Sequence, residues 1–511
     1  MSRFFKYKTT DDLALEVRQR GLDIRLSEDW KVLSQPLSIG MKRVGNRLAI
    51  HPMEGCDSTT GGAPDILTIR RYERFGAGGA KLIWAEAAAI TPDGRANTRQ
   101  LVIDEPHARG LEQLLDVCRS SHRREWGDDT DLLIGLQLTH SGRYSVPRPA
   151  IVQHDPLLDP ITFWDRKAGV KVGPDTPLIT DSELHRLMDR YVSAADLAYR
   201  IGFDFVDLKQ CHRYLLNELL AARNRTGEFG GSFENRTRFI REVVARIKSD
   251  HPDRILATRL NVFDGVPFIK GPDGDGQPAP FTTPVSTTWG TRLEAPTQPD
   301  LDEPLRLVAE LEHLGMNIVS VSAGNPYASP HYLRPFEYAP VDGYQSPEHP
   351  LEGVARHFKL TSTIQKAFPH LCVIGSGYSW LQAFVPHAGA ANVADGKASM
   401  LGVGRASLSH PDFASKILSE QPLDPKRTCR TFSYCTALMR SKHNLQGQFA
   451  TGCPPFDKGV YGPIWEEAKS TSPTPLSLCD FKKFCSQPYR ALVDSSPVST
   501  LACCTCEGVA R

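Results

Sequence analysis

Charge of one dominant sign is missing from this 511-residue chain, where 60 lysines and arginines stand against 59 aspartates and glutamates. Such a balance offers no basic field to nucleic acid or to an anionic membrane. Long apolar runs are absent too, and nothing approaches the roughly 20 residues that a bilayer-spanning helix needs. The opening stretch, MSRFFKYKTTDDLALEV, has neither the apolar core nor the small-residue cleavage site of a secretory signal. Twelve cysteines are scattered without the spacing of a disulfide framework, which suits reduced thiols in a cytosol. Neither a dinucleotide-binding glycine fingerprint nor a short internal repeat occurs. The expectation is a cytoplasmic protein with no nucleic-acid and no membrane partner.

What is present is a 40% hydrophobic fraction, enough for a core, arranged as apolar stretches that alternate with amphipathic ones. Eight segments read as strands: 46–53, 81–86, 132–139, 203–208, 255–261, 317–322, 371–377 and 399–405. Strands that alternate with helical patterns predict an α/β fold, a (β/α)8 (TIM) barrel with long loop insertions. Residues 1–34 read as an N-terminal extension, 35–420 as the barrel, and 421–511 as a C-terminal extension ending in a flexible tail. The Pro- and Asp-rich stretch 144–180 reads as a loop over the pocket, and 262–300 as a second insertion forming a lid or flank.

The most informative segment is 203–239. Alternation in FDFVDL predicts a strand, and Lys209, His212 and Tyr214 follow it at once, three proton-carrying groups in six residues. In a barrel the C-terminal strand ends face the active site, so these side chains are placed in the pocket. A βα unit with a wetted loop would account for any one of them, less easily for all three. Gly230-Gly231-Ser232 then leads into a helix with Phe239, Ile240, Val243, Val244 and Ile247 at helical spacing. Two further strand ends are glycine-rich, Gly377 after the seventh and Gly404-Arg405 after the eighth. Such backbone admits a phosphate, commonly held between these strands of a barrel. A strand-end lysine such as Lys209 also permits a Schiff base of the class I aldolase kind.

Segment 202–215, GFDFVDLKQCHRYL, and segment 225–239, RTGEFGGSFENRTRF, together resemble the old yellow enzyme family, in particular its 2,4-dienoyl-CoA reductase-like branch. The similarity spans most of residues 35–415. It implies FMN as the cofactor and NADH or NADPH as co-substrate. It further implies that Pro52 and Met53 lie along the flavin, that Ala85 is the small residue beside it, and that Gln137, in QLTHSGR, meets its pyrimidine edge. Arg259 would stand beside N1 and O2, where a positive charge favours the anionic reduced ring; a strand-end salt bridge is the plainer reading of that arginine. Gly377, Gly404 and Arg405 would hold the phosphate. Tyr214 matches the family's proton donor, and Lys209 and His212 occupy the positions that bind the substrate carbonyl. Glu54 stands where the family has Thr or Cys, and Arg213 where it has Gly, a change expected to narrow the pocket. His140 reads as a structural, hydrogen-bonded histidine. Tyr327 and His331 are within reach of the substrate after the sixth strand.

Members of the dienoyl branch carry a 4Fe–4S cluster behind the eighth strand. Here Cys429, Cys435 and Cys453 are poorly spaced for one, so buried thiols are expected, no metal, and FMN alone. Cys503, Cys504 and Cys506 belong to the expected flexible tail. The resemblance therefore implies an NAD(P)H:flavin oxidoreductase acting on the activated C=C of a small α,β-unsaturated carbonyl compound, with a homo-oligomer left open. Amine dehydrogenation or demethylation on the same barrel, the aldolase, and an idle ligand-binding barrel are the alternatives.

Overall fold

The computed structural model describes residues 4–146, 148–340, 342–473 and 476. Its centre is a closed barrel of eight parallel strands: β1 (Leu48–Ile50), β2 (Leu82–Ala89), β3 (Leu133–Thr139), β4 (Phe205–Leu208), β5 (Ile255–Phe263), β6 (Ile318–Ala323), β7 (Cys372–Gly375) and β8 (Met400–Val403). Each pairs with its neighbour in sequence, and β8 closes on β1 through Leu401 opposite Leu48. All eight predicted segments are therefore strands. The first stops at Ile50, short of Pro52, which has no N–H to give to a ladder.

Helices follow the strands in turn: α1 (Ile66–Ala77), α2 (Ala108–Trp126), α3 (Asp181–Ile201), α4 (Phe233–Asp250), α5 (Asp302–His313), α6 (Pro350–Ala367), α7 (Val385–Ala394) and α8 (Phe413–Leu418). The sequence sets their ends. Thr180 and Glu183 form a capping box at the start of α3, and Gly202, at φ 111°, ends it in a left-handed conformation that suits glycine. On α4 all five apolar residues at helical spacing are buried.

Alternation along the strands sorts their side chains into two populations. Ile83, Leu136, Val206 and Val319 join the large apolar cluster between strands and helices. Leu82, Trp84, Leu133, Phe205, Ile255, Ala257, Ile318, Ile374 and Met400 fill the barrel interior. Trp84 and Phe205 meet there edge-on at 5.2 Å, and Gly135 leaves the room that the Phe205 ring takes. Ile39 and Val44, from the hairpin of residues 37–44, belong to the same interior cluster. The interior is thus apolar at its N-terminal end. Further along the same strands the inward positions turn polar: His51, Gln137, Asp207, Lys209, Arg259 and Ser320. This change of chemistry along one face places the site at the C-terminal mouth.

Outside the barrel, the segment 434–471 carries helices Tyr434–Arg440 and Lys458–Thr471, tied to α1 by Arg70 and Arg74, which both bind Asp457. Each predicted insertion contains a short antiparallel hairpin, Phe163–Asp165 with Val170–Lys171 and Phe268–Lys270 with Gly276–Pro278. No helix among the described residues is long and apolar enough to cross a membrane. Cys503, Cys504 and Cys506 lie outside the described residues.

Candidate active site at the barrel mouth

Register aligns the first polar layer. Gln137 on β3 lies opposite Asp207 on β4, and its Nε2 donates to Asp207 Oδ2 at 2.5 Å. Asp207 also accepts from the Arg259 backbone N–H at 2.8 Å. Burial raises the Asp207 carboxyl to about 7, opposed by these hydrogen bonds and by the charges of Arg259 and Lys209. The Gln137 amide is thereby fixed in orientation.

Ala85 is not part of this layer. It pairs with Leu136, and both belong to the helix-facing cluster. A bulge between Ala85 and Ala87 then shifts the register, so Ala87 is the small residue opposite Gln137. An extra residue in a strand leaves no mark on its apolar pattern, so the sequence does not show this shift of register.

Arg259 enters the mouth from β5. Its Nε is buried without a hydrogen-bond partner, and no carboxylate among the described residues pairs with it. The salt-bridge reading of this arginine therefore fails. Below it, His51 shares its ring nitrogens with Gly375 O at 3.1 Å and Ser320 Oγ at 3.5 Å. Burial, then the Arg259 charge, lowers His51 to about 3, so the ring is neutral.

Beyond β4 the backbone turns through two consecutive left-handed residues, His212 at φ 68° and Arg213 at φ 60°. Neither is a glycine, so the turn is held by its surroundings. Arg213 supplies the hold: its guanidinium binds Asp155 at 2.8 Å, Asp264 at 3.0 Å and the Thr287 carbonyl at 2.5 Å. It is thus tied into buried carboxylates from the two insertions, a different role from the narrowing of the pocket expected of it. Asn217 accepts from the Arg213 N–H at 2.7 Å and closes the turn.

This turn presents the three proton-carrying groups. Lys209 Nζ is 3.1 Å from Glu54 Oε1 and 4.0 Å from the centre of the Tyr214 ring. His212 Nε2 is buried and unpartnered. Burial, followed by the charges of Arg259, Lys209 and Arg334, pushes His212 well below its usual range, so it is neutral. The Tyr214 and Tyr327 hydroxyls are 2.9 Å apart. Burial, then the Glu54 charge, raises Tyr214 well above the ordinary phenol range, which keeps its proton on at neutral pH. Tyr144 completes an aromatic wall, with ring centres 5.8 Å from Tyr214 and 4.3 Å from Tyr327. Asn325 Nδ2 donates to the Tyr144 hydroxyl at 2.7 Å.

Tyr144 went unnoticed in the sequence, although it directly follows Arg143 of the QLTHSGR stretch. Arg143 itself is fully buried between Glu218, at 2.6 Å, and Asp159. His140 is buried as expected, with Nδ1 accepting the Gly142 N–H at 3.1 Å. His331 bonds the Tyr344 hydroxyl at 2.7 Å and stands away from the tyrosine trio's hydrogen bonds.

Opposite this wall, Pro52, Met53 and Glu54 leave β1. Glu86 accepts the Gly55 N–H at 2.7 Å and is bound in turn by Arg71, so the segment is anchored to α1. Gly404 lies against it, where an added Cβ would come within 3.1 Å of Met53 Sδ. Gly377 has φ 90°, and a Cβ there would meet His357 Cβ at 2.8 Å. Arg405 Nη2 donates to Pro335 O at 2.6 Å, while its Nη1 is buried without a partner. The residue set fits a flavin mononucleotide in its donors. Arg259 Nε, His212 Nε2 and Arg405 Nη1 are buried and unpaired.

Cys429, Cys435 and Cys453 are partly buried and unbridged. Burial, then the neighbouring Cys429, raises the Cys453 thiol. No group of three or more His, Cys, Asp or Glu side chains among the described residues is placed to hold a metal ion.

A closed (β/α)8 barrel with a cationic mouth is the class this geometry defines. Residues 32–271, just under half of the chain, match the model of the NADH:flavin oxidoreductase / NADH oxidase family. An NADPH dehydrogenase of Clostridium acetobutylicum is 30% identical over 224 residues, covering 43% of this chain and 60% of the relative. The chain thus spans less than two thirds of that relative's length. A 2-naphthoyl-CoA reductase solved with 2-naphthoyl-CoA has the same fold, with TM-score 0.59 and 18% identity over 79% of this chain and 54% of that one. An old yellow enzyme homologue of Zymomonas mobilis superposes with TM-score 0.54 and 19% identity over 77% and 94%. FMN, with NADH or NADPH as co-substrate, fits the family and its NADPH dehydrogenase relatives.

Proposed function

We propose that this protein is an FMN-dependent NAD(P)H oxidoreductase that reduces the activated C=C of an α,β-unsaturated carbonyl compound, with Tyr214 as proton donor. Arg259 carries the reading. A guanidinium in the barrel mouth with a buried, unpaired Nε and, among the described residues, no carboxylate in ion pair with it is poised for a ligand on which negative charge develops. Bound flavin would supply the redox chemistry, taking hydride from the nicotinamide and passing it to the β-carbon of the acceptor.

The chain's own groups then have distinct tasks. Pro52 and Met53 would hold the flavin ring, Gln137 would bind it in the orientation Asp207 imposes, and Gly377, Gly404 and Arg405 would receive the phosphate. Lys209 and His212 face the acceptor's carbonyl oxygen. The ammonium brings positive charge and the neutral imidazole a hydrogen bond, provided its Nε2 bears the proton. Tyr214 gives its phenolic proton to the α-carbon as the enolate collapses, and burial ensures that the proton is there to give. Tyr144 and Tyr327 confine the acceptor to the face that Tyr214 serves.

The test is anaerobic titration of the purified protein. NADH or NADPH should bleach the flavin bands, and an enone should restore them. Restoration by no enone, or bleaching by an amine in place of the nicotinamide, would point to a different oxidoreductase on this barrel.

A further inference from the structure

Arg334 lies just after the short helix Pro330–Leu333 that follows β6. Its Nε is buried with no hydrogen-bond partner, and among the described residues no carboxylate forms an ion pair with it. Arg405, at the end of β8, is 9% exposed and donates Nη2 to the carbonyl of Pro335, the residue next to Arg334. Its other terminal nitrogen, Nη1, is buried and unpaired. The two guanidiniums thus share one short piece of backbone, and among the described residues no carboxylate forms an ion pair with either. Burial first, then the Arg405 charge and the Arg440 charge, lowers Arg334 to about 9. Arg440 is itself neutralised by Asp342 at 2.9 Å, which leaves Arg334 and Arg405 as the uncompensated pair.

Buried cations are ordinarily paired, because removing charge from water is costly. A pair of cations held together is therefore a site built for an anion. Two planar forks suit a phosphate monoester, which carries close to two negative charges and offers three acceptor oxygens. Gly377 and Gly404 open the loops after β7 and β8, which meet where the Ala406 N–H donates to Ser379 Oγ at 3.3 Å.

We propose that Arg334 is a second phosphate-binding arginine, which with Arg405 grips the terminal phosphate of the flavin mononucleotide. This rests on the flavin reading above. The assignment ties the loop after β6 to the loop after β8 through the ligand, so cofactor binding would order the segment that also carries Tyr327.

The full chain, freed of any bound flavin, is titrated with FMN and separately with riboflavin, which lacks the phosphate, following flavin fluorescence. Arg334→Gln should weaken FMN binding by about ten- to a hundredfold, the loss of a charge-assisted hydrogen bond, and leave riboflavin binding unchanged. Arg334→Lys, which keeps the charge and loses the fork, should fall between. Equal weakening of both flavins overturns the assignment. So does unaltered FMN binding accompanied by a raised KM for NADPH and not for NADH, which would place Arg334 on the nicotinamide's 2′-phosphate. A wild-type chain that takes up neither flavin overturns the flavin reading itself, and this assignment with it.

Discussion

Lys209 and Glu54 form an ion pair across the barrel mouth, Nζ to Oε1 at 3.1 Å, with the lysine side chain only 3% exposed. The resemblance to the old yellow enzyme family would put Thr or Cys at Glu54 and a histidine at Lys209. Each departure accounts for the other, since either charge alone would be buried without compensation. An ammonium engaged in this way has no lone pair for attack on a carbonyl, which weighs against the Schiff-base alternative.

Glu54→Gln should therefore destabilise the protein by about 3 kcal/mol, as expected when one partner of a buried pair is removed. The double variant with Lys209→Met should recover most of that loss. Denaturant unfolding of the wild type, both single variants and the double variant forms a cycle that measures the coupling. Simply additive losses would mean that the two side chains do not depend on each other.

Tyr214→Phe removes the hydroxyl and keeps the ring that stacks under Lys209. Oxidation of reduced enzyme by an enone should slow by about two to four orders of magnitude, the usual contribution of a positioned acid, while reduction by NAD(P)H stays within about twofold. Rapid-mixing absorbance resolves the two half-reactions. Equal slowing of both would assign the tyrosine to holding the flavin instead.

For Arg259→Ala the expected outcome is FMN binding weakened by about tenfold or more, the order of one charge-assisted hydrogen bond, together with a lower flavin reduction potential. Occupancy and potential of the purified variant are the readouts. If neither moves, the guanidinium lies away from the ring.

His140 gives a pH signature. Burial lowers its pKa to about 4, against about 6.5 in an unfolded chain. The folded state refuses a proton that the unfolded state accepts, so this histidine's contribution is intact above pH 6.5 and is lost as pH falls towards 4. The slope approaches about 1.4 kcal/mol per pH unit. His51, His331 and His357 act in the same direction. Asp207 and Glu86, both raised to about 7, act in the opposite one. The difference between wild type and His140→Asn isolates one site, because Asn retains an acceptor for the Gly142 N–H. The variant's stability should fall less steeply between pH 6.5 and 4.5, and parallel curves would refute the assignment.

The barrel was legible because its strands are buried on both faces, so each reads as an aliphatic run whatever its length. The inward polar residues Gln137, Lys209 and Arg259 were legible too, since period-two alternation continues into them from apolar neighbours. Ala87 was hidden by the bulge, which alters register without altering composition. Tyr144 and Arg334 were hidden for another reason. Tyr144 ends a single 3-10 turn and Arg334 follows a four-residue helix, both too short for periodicity to fix direction, and only the folded chain brings Tyr144 to Tyr214 or Arg334 to Arg405. Arg213 shows the reverse, a residue visible in sequence whose partners, Asp155 and Asp264, lie in insertions that carry no recognisable pattern.

The most direct measurement is the near-ultraviolet and visible spectrum of the freshly purified chain, before and after incubation with FMN and removal of the excess. A yellow protein with flavin absorbance in about one-to-one ratio to chain is the predicted result. A colourless preparation that retains no added FMN would contradict the account.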